Sequence, residues 1–399
     1  MKQIGWWSMF SDKLHIPNHY STDDIIKKLS EASGFARGYN ELADLITETT
    51  DRVPLDSMWN EFSRTIAMWN RQRSTLVNLL TFDVSNPIEN VRYPVQEDFQ
   101  EASEYGEPTG IRLGPAFQMG FDFKWWDLAI RYTWMFLAET SSEQLAALNN
   151  QAMEADNRLL FTKIFKRIFN NTTNTATIEG NSFNVYPFYN GDTMVPPSWK
   201  NITHTTGHNH YFGSNGATVD AGDIQAMINH LTHHGYSLAN GYRLLLLVNQ
   251  QEGAIIRTLQ AGVAGSLYTF IPGEGVGGGV FLPANSGIVG RPSITNYPGL
   301  QTIGTYGPVV VVEEEYIPAG YMLMLASGGE LDIRNPVGIR QHDNASLRGL
   351  RLVKGRTPDY PLIDSFYLHG FGTGVRQRGA GVVQQVVASA TYTIPSQYA

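Results

Sequence analysis

The chain has 399 residues, with 29 basic and 37 acidic side chains, a formal net charge of −8 and no cysteine. The charge excludes a protein whose main work is gripping nucleic acid through its phosphates. The missing thiols exclude disulfides, thiolate nucleophiles, zinc fingers and cysteine-held iron–sulfur clusters. With 39 Gly, 12% aromatic and only 17% charged residues, the composition suits a folded chain that buries much of itself, against partners as well as within. Length gives a prior of two or three domains at ~150 residues each. Met1–Phe10 carries Trp6 and Trp7 but no signal-type apolar stretch. The apolar run Leu244–Val248 falls far short of the ~20 residues that span a bilayer. The expectation is a soluble protein made in a cytoplasm.

Residues 1–80 read as helical. Asp23 and Asp24 follow Ser21 and Thr22, where negative charge suits a helix N-terminus. Ile25, Ile26, Leu29, Ala36, Leu42, Leu45 and Ile46 recur near helical spacing. A second helix is predicted from about Leu55 to Leu80, with Trp59, Phe62, Ile66 and Trp69 on one face. In 81–140, Pro87, Pro94, Pro108 and Pro115 punctuate an acidic stretch containing Glu89, Glu97, Asp98, Glu101, Glu104 and Glu107. Val91, Tyr93 and Val95 alternate with other residues, and Phe117, Met119, Phe121, Phe123 and Trp125 alternate strictly with Gln118, Gly120, Asp122 and Lys124. That period of two predicts a half-buried strand. Together the stretches predict a long two-stranded ribbon with its tip near Tyr105–Pro108. A lone ribbon is marginal in water, so another subunit is a candidate to cover its aromatic face.

Residues 141–170 read as one helix without Gly or Pro, opened by a capping box of Ser141 and Gln144 and ~45 Å long. Beyond Asn170 the chain reads as strands and loops, with one helix from cap Asp220 over Ala221–His234, stopped by Gly235. Leu244–Val248 predicts a strand buried on both faces. Further strands are predicted at Val309–Val312, Tyr321–Leu325 and Val382–Ile394, and loops over the glycine-rich 262–307. The fold class is α+β.

Chemistry-bearing motifs are few. Six of ten histidines fall between residues 204 and 234. His208-Asn-His210 has the His-x-His form of cupin-type metal sites, but the carboxylate those need about four residues on is Ser214. His230 and His234 are four apart without the Glu of a metalloprotease helix, and His near a helix C-terminus is ordinary capping chemistry. No metal site, catalytic residue or cofactor is assigned. A His-dependent metalloenzyme stays the alternative from a different class. Gly273-Glu-Gly275-Val-Gly277-Gly278 matches a dinucleotide fingerprint, yet no helix follows it. Glu313, Glu314 and Glu315 read as a solvated strand end. Between Arg334 and Arg378 eight basic residues (Arg334, Arg340, Arg348, Arg351, Lys354, Arg356, Arg376, Arg378) meet three acids, so this segment is +5 and the rest of the chain −13. Such a pattern suits self-association through complementary patches, with the acidic ribbon as counterpart. The interface candidates are Glu97, Glu101, Glu104, Tyr105, Phe117, Phe121, Phe123, Trp125, Arg348, Arg351 and Arg356.

The order of these elements resembles the major capsid protein of tailed bacteriophages, the Hong Kong ninety-seven type fold. The wording of the sequence is similar to capsid proteins of phages infecting actinobacteria. The stretches that carry this are Val195-Pro-Pro-Ser-Trp-Lys200, His208-Asn-His-Tyr-Phe212, Asp220 to Tyr236, Asn335-Pro-Val-Gly-Ile-Arg340, Leu347 to Gly355, Asp359 to Tyr367 and Gly372 to Gly379. The residue-level likeness covers about 195–394, and 81–194 rests on element order. The resemblance implies an N-terminal helical arm (1–80), an E-loop (81–132), a P-domain with its spine helix (133–195), an A-domain (196–330), and a return to the P-domain with the C-terminus (331–399). It implies self-assembly through hexamers and pentamers into an icosahedral head shell enclosing double-stranded DNA. The partners are then copies of the chain, a portal, scaffold or cement proteins, and DNA in weak non-specific contact, with no membrane. The place is the virion, after synthesis in host cytoplasm. An encapsulin-like nanocompartment shell is the alternative within the same fold. Some members of the fold weld subunits through an E-loop lysine, but no lysine lies between Asn78 and Phe123, so that crosslink is not expected.

Overall fold

In the computed structural model the described residues are 47–71, 74–94, 99–102, 104–107, 110, 113–178, 180–273, 300, 302–354 and 362–399. The arm helix expected after Asp23, the glycine run from Glu274 to Gly278, and the candidates Glu97 and Arg356 lie outside them. Helix α1 (Leu55–Arg71) buries Met58, Phe62 and Ile66, four residues apart and so on one face. It ends at Arg71, and α2 (Thr75–Leu80) is separate, so the single helix expected to Leu80 is two. Helix α2 runs directly into β1 (Thr81–Val84), where the buried Thr81 hydroxyl donates to Val77 O at 2.7 Å.

The ribbon is present as β2 (Ile88–Pro94) and β3 (Leu113–Gly120), paired antiparallel from Ile88 opposite Gly120. The strand expected over Phe117–Trp125 is broken: β3 stops at Gly120, and β4 (Lys124–Thr133) begins after a bend. The cause is Asp122. Its Oδ1 accepts from Thr373 N at 2.5 Å and its Oδ2 from Arg167 Nη2 at 3.1 Å. A polar residue at that position preserves the alternation of letters while anchoring a turn of the backbone.

Helix α3 (Trp134–Glu139) leads to the long α4 (Ser142–Phe169). The capping box of Ser141 and Gln144 is formed as expected. At 28 residues α4 is ~42 Å long. Its interior polar side chains are matched by remote partners. Tyr367 Oη donates to Asn149 Oδ1 at 2.8 Å, and His369 Nδ1 meets Asp156 Oδ1 at 2.5 Å. A hairpin, β5 (Asn174–Ile178) with β6 (Asn181–Val185), follows.

Two larger sheets make the body. Seven strands, β7 (Tyr211–Gly213), β8 (Arg243–Val248), β9 (Phe270–Pro272), β10 (Thr302–Tyr306), β11 (Val309–Glu313), β12 (Tyr321–Ser327) and β16 (Gly381–Gln385), lie in the order β7-β16-β12-β8-β11-β10-β9. Five strands form the other: β1, β13 (Val337–Gln341), β15 (Leu362–Val375) and β14 (Leu350–Lys354) in that order, with β4 also on β15. In the larger sheet Leu245, Leu247, Val310, Val312, Leu323 and Leu325 face one core, shared with Phe161, Ile164, Phe165 and Ile168 of α4. Their neighbours Leu244, Leu246, Val248, Val309, Val311, Met322 and Met324 face a second core. That core is closed by Ile224, Met227 and Leu231 of α5 (Ala221–Thr232) and Ile256 of α6 (Gln250–Ile256). Helices on both faces explain the unbroken apolar run Leu244–Val248. Val337, Ile339, Phe371 and Val375 of the smaller sheet join the first core, so α4 ties the two sheets together.

The strand expected over Val382–Ile394 ends at Gln385. The remaining tail leaves the sheet to clamp the end of α4. Tyr398 stacks on Phe169 at 5.3 Å, Tyr392 Oη donates to Phe169 O at 2.7 Å, and Lys166 Nζ donates to Ala399 O at 2.7 Å.

Candidate assembly interface

The ribbon tip is exposed. Glu101, Glu104 and Tyr105 all face solvent, Tyr105 at 92% and the unforeseen Phe99 at 107% of full exposure. At the ribbon base, Gly120 lies against β6: a Cβ there would sit 2.4 Å from the Phe183 ring. Phe117 is half-buried on β3. Phe121 is a correction to the interface set. It is fully buried in its own subunit, edge-on to Phe82 at 6.3 Å, because the bend at Asp122 turns it inward. Phe123 is half-covered, by Trp125 edge-on at 5.4 Å and by the Arg340 guanidinium 5.3 Å above its ring. Trp125 packs on His342 at 5.7 Å and still shows 44% of its surface. Leu128 on the same strand and Met135 and Phe136 on α3 are also exposed. Sequence reading missed these: Trp126, Leu128, Ile130 and Tyr132 alternate along β4 on the side that meets α4, and a period of two does not show that Leu128 there stays uncovered.

The expected basic surface is mostly spent inside the subunit, and this is the second correction. Arg334 pairs with Asp332 at 2.8 Å, and these hydrogen bonds hold the Asp332 carboxyl below its usual pKa. Arg376 pairs with Glu89 of the ribbon at 2.8 Å. Arg340 donates to the carbonyls of Ser85 and Phe121, and burial lowers its pKa. Arg378 is fully buried and meets Asp192 at 2.8 Å. Arg348 remains exposed, its Nε donating to His342 O at 2.7 Å and its Nη2 to Asp343 O at 3.0 Å. Arg351 is half-buried on β14. The Glu triplet is not simply a solvated strand end. Glu313 is buried against Arg257 at 2.7 Å, and desolvation raises the Glu314 pKa, while Glu315 is exposed. The structure also gathers His204, His208, His210, His230 and His234, which sequence spacing did not connect.

An extended ribbon beside a two-sheet body, with apolar side chains exposed at tip and base, describes a subunit built to be covered by others. No family model and no curated protein matches the chain. Among solved structures it is similar to a chain of Mycobacterium phage Patience, at 39% identity and a TM-score of 0.70, covering 91% of this chain and 97% of that one. It is also similar to the asymmetric unit of the bacteriophage PhiM1 mature capsid, at 10% identity, 79% and 88% coverage and a TM-score of 0.48. A third likeness is to the holo-SrpI encapsulin complex of Synechococcus elongatus PCC 7942, at 12% identity, 92% and 98% coverage and a TM-score of 0.44. The last two are too distant to carry an argument, and the first establishes the family. The chain belongs to the major capsid proteins of tailed bacteriophages. It is a structural protein of the head shell, it associates with its own kind, and its place is the virion. Among the described residues no helix is long and apolar enough to cross a membrane.

Proposed function

We propose that residues 81–132 act as the E-loop, laying the ribbon tip over a neighbouring subunit while the Trp125 patch receives contacts at its base. The observation that carries this is the exposure of Phe99 and Tyr105 at the end of a two-stranded ribbon, a structure that is marginal without cover. Residues 133–195, with α4 as spine, and 331–399 form the P-domain. Residues 196–330 form the A-domain, whose exposed Val263, Leu267 and Tyr268 serve contacts around five- and six-fold positions. β16, in the return segment, pairs with β12 and β7, so these two proposed domains would share one sheet. Glu101 and Glu104 at the tip are drawn to Arg348 and Arg351 of a neighbour, and Glu97 and Arg356 extend the same pairing. The work of the chain is structural rather than catalytic. It is made in host cytoplasm, meets a portal and scaffold or cement proteins during assembly, and touches packaged DNA weakly through non-specific contacts.

The test is electron microscopy of recombinant protein with residues 99–110 replaced by a short glycine–serine link. The expected result is subunits that melt as wild type does but do not form shells. Shells of ordinary appearance from that variant would overturn the role of the tip. For the charged pairing, Arg348→Glu should impair assembly and Glu104→Arg should restore it. Assembly indifferent to both changes refutes that pairing alone.

A further inference from the structure

The five histidines lie where three stretches of chain meet. His208 and His210 stand on the segment entering β7. His210 is tied to its surroundings by His210 N donating to Tyr189 O at 2.7 Å and by Val383 N donating to His210 O at 2.8 Å. His208 is tied by Gly191 N donating to His208 O at 3.0 Å. His230 and His234 come from the C-terminal end of α5. That end is stopped at Gly235, which has φ +85° and no room for a Cβ, since one would lie 2.7 Å from the Trp199 ring. His204 lies four residues before His208 on the same incoming stretch and stacks on His234 at 4.3 Å.

The Nε2 atoms of His208, His210 and His234 form a triangle with sides of 3.1, 2.9 and 3.0 Å. Protons alone do not satisfy it. His210 Nδ1 lies 2.6 Å from Gly381 O, an acceptor only, so Nδ1 carries the proton of the neutral ring. His210 Nε2 is therefore a bare lone pair aimed at two other ring nitrogens. His204 Nε2 and His230 Nδ1 are buried beside the triangle without hydrogen-bond partners. A cation about 2.1 Å from each corner, the usual metal–imidazole distance, would see nitrogens ~3.0 Å apart at nearly right angles, one face of an octahedron. The Gly381 carbonyl is the outer partner that fixes a ligating imidazole in its tautomer. His208 and His234 are only half-buried, which leaves an ion a way in.

We propose that His208, His210 and His234, with His204 adjoining, form a binding site for a divalent late first-row transition cation such as Zn²⁺ or Ni²⁺. All-imidazole donors suit this class rather than Mg²⁺ or Ca²⁺, which prefer oxygen. The ion staples the 199–210 segment and the end of α5 to the edge of the seven-stranded sheet, and so stiffens the region. This inference does not depend on the assembly roles proposed above.

The test uses the full chain without an affinity tag, stripped with a chelator and then supplied with Zn²⁺. The expected results are one zinc per subunit by elemental analysis and a higher melting temperature in Zn²⁺ than in chelator. His208→Gln and His234→Gln should each weaken binding by more than the 10–100-fold that losing an outer-shell partner costs. His233→Gln, at an exposed position outside the triangle, should bind as wild type does. Zinc content equal in wild type and both triangle variants, or no zinc retained and no melting shift in wild type, overturns the site. If the triangle variants do not fold, Co²⁺ added to wild type decides: visible ligand-field bands displaced by Zn²⁺ support it, and their absence refutes it.

Discussion

Replacing Arg378 tests whether a side chain that sequence reading placed on a basic surface is instead an internal fastener. Its exposure is 0%. Nε donates to Pro187 O at 2.9 Å, Nη2 donates to Phe188 O and Asn190 Oδ1 at 3.2 Å each, and the guanidinium meets Asp192 at 2.8 Å. The rings of Tyr186 and Tyr189 lie 4.9 and 4.7 Å from it. Arg378→Met keeps the length of the side chain, strips these acceptors of their donor and leaves a carboxylate unpaired. Breaking a buried pair costs about 3–5 kcal/mol. Asp192 keeps 24% exposure, so the low end, about 3 kcal/mol, applies. At roughly 2 °C per kcal/mol for large domains, the melting temperature should fall by about 6 °C. Asp192→Asn retains the other acceptors and should cost about 1 kcal/mol, hence about 2 °C. The assay is calorimetric or fluorescence melting of soluble subunits at low and high salt, where a buried pair is screened little. An Arg378→Met protein that melts with the wild type, or an Asp192→Asn protein that melts below Arg378→Met, would refute the reasoning.

Gly372→Ala should destabilise by about 3 kcal/mol, the upper end for overpacking, because a Cβ there falls 1.8 Å from the Asp122 backbone oxygen; soluble yield and melting temperature read it. Ser141→Ala removes the capping box of α4 and should cost about 1 kcal/mol in the same melting assay. Asp51 accepts hydrogen bonds from the Ser142 and Thr49 hydroxyls and from Ser142 N, and the first of these does most to hold its pKa down to about 2 against 3.8. Its contribution is present in full above the unfolded value and lost as pH falls through about 2. Melting curves taken down through that window should therefore converge for wild type and Asp51→Asn, and a gap of constant size would contradict this. Trp125→Glu gives up the ring contacts with Phe123 and His342, worth about 0.5–1.5 kcal/mol, so subunit melting should fall by only about 1–3 °C while shells are lost from micrographs.

What was legible in the sequence was whatever a short window encodes. The capping box needs only Ser141 and Gln144, and it formed. The run Leu244–Val248 declared a strand covered on both faces, and alternate residues do enter opposite cores. Illegible features shared one cause, a partner far away along the chain. The alternation through Phe117–Trp125 ran unbroken across Asp122, because only Thr373 and Arg167 reveal that Asp122 anchors a bend. The +5 segment looked like a surface until Asp192 and Glu89 were found against Arg378 and Arg376. Charge counted in a window says how many charges must be answered, not whether a neighbour subunit or the chain itself answers them.

The histidines follow the same rule in the other direction. Tests of local spacing rejected each half, since His208-Asn-His210 lacks its carboxylate and His230 to His234 lacks its Glu. The fold supplies what neither half holds, by bringing the end of α5 onto the segment entering β7 and setting His234 Nε2 2.9 Å from His208 and 3.0 Å from His210. A crowd of six histidines within residues 204–234 was the legible signal. Its meaning required knowing that Gly235 ends the helix at the point where His234 meets the other two.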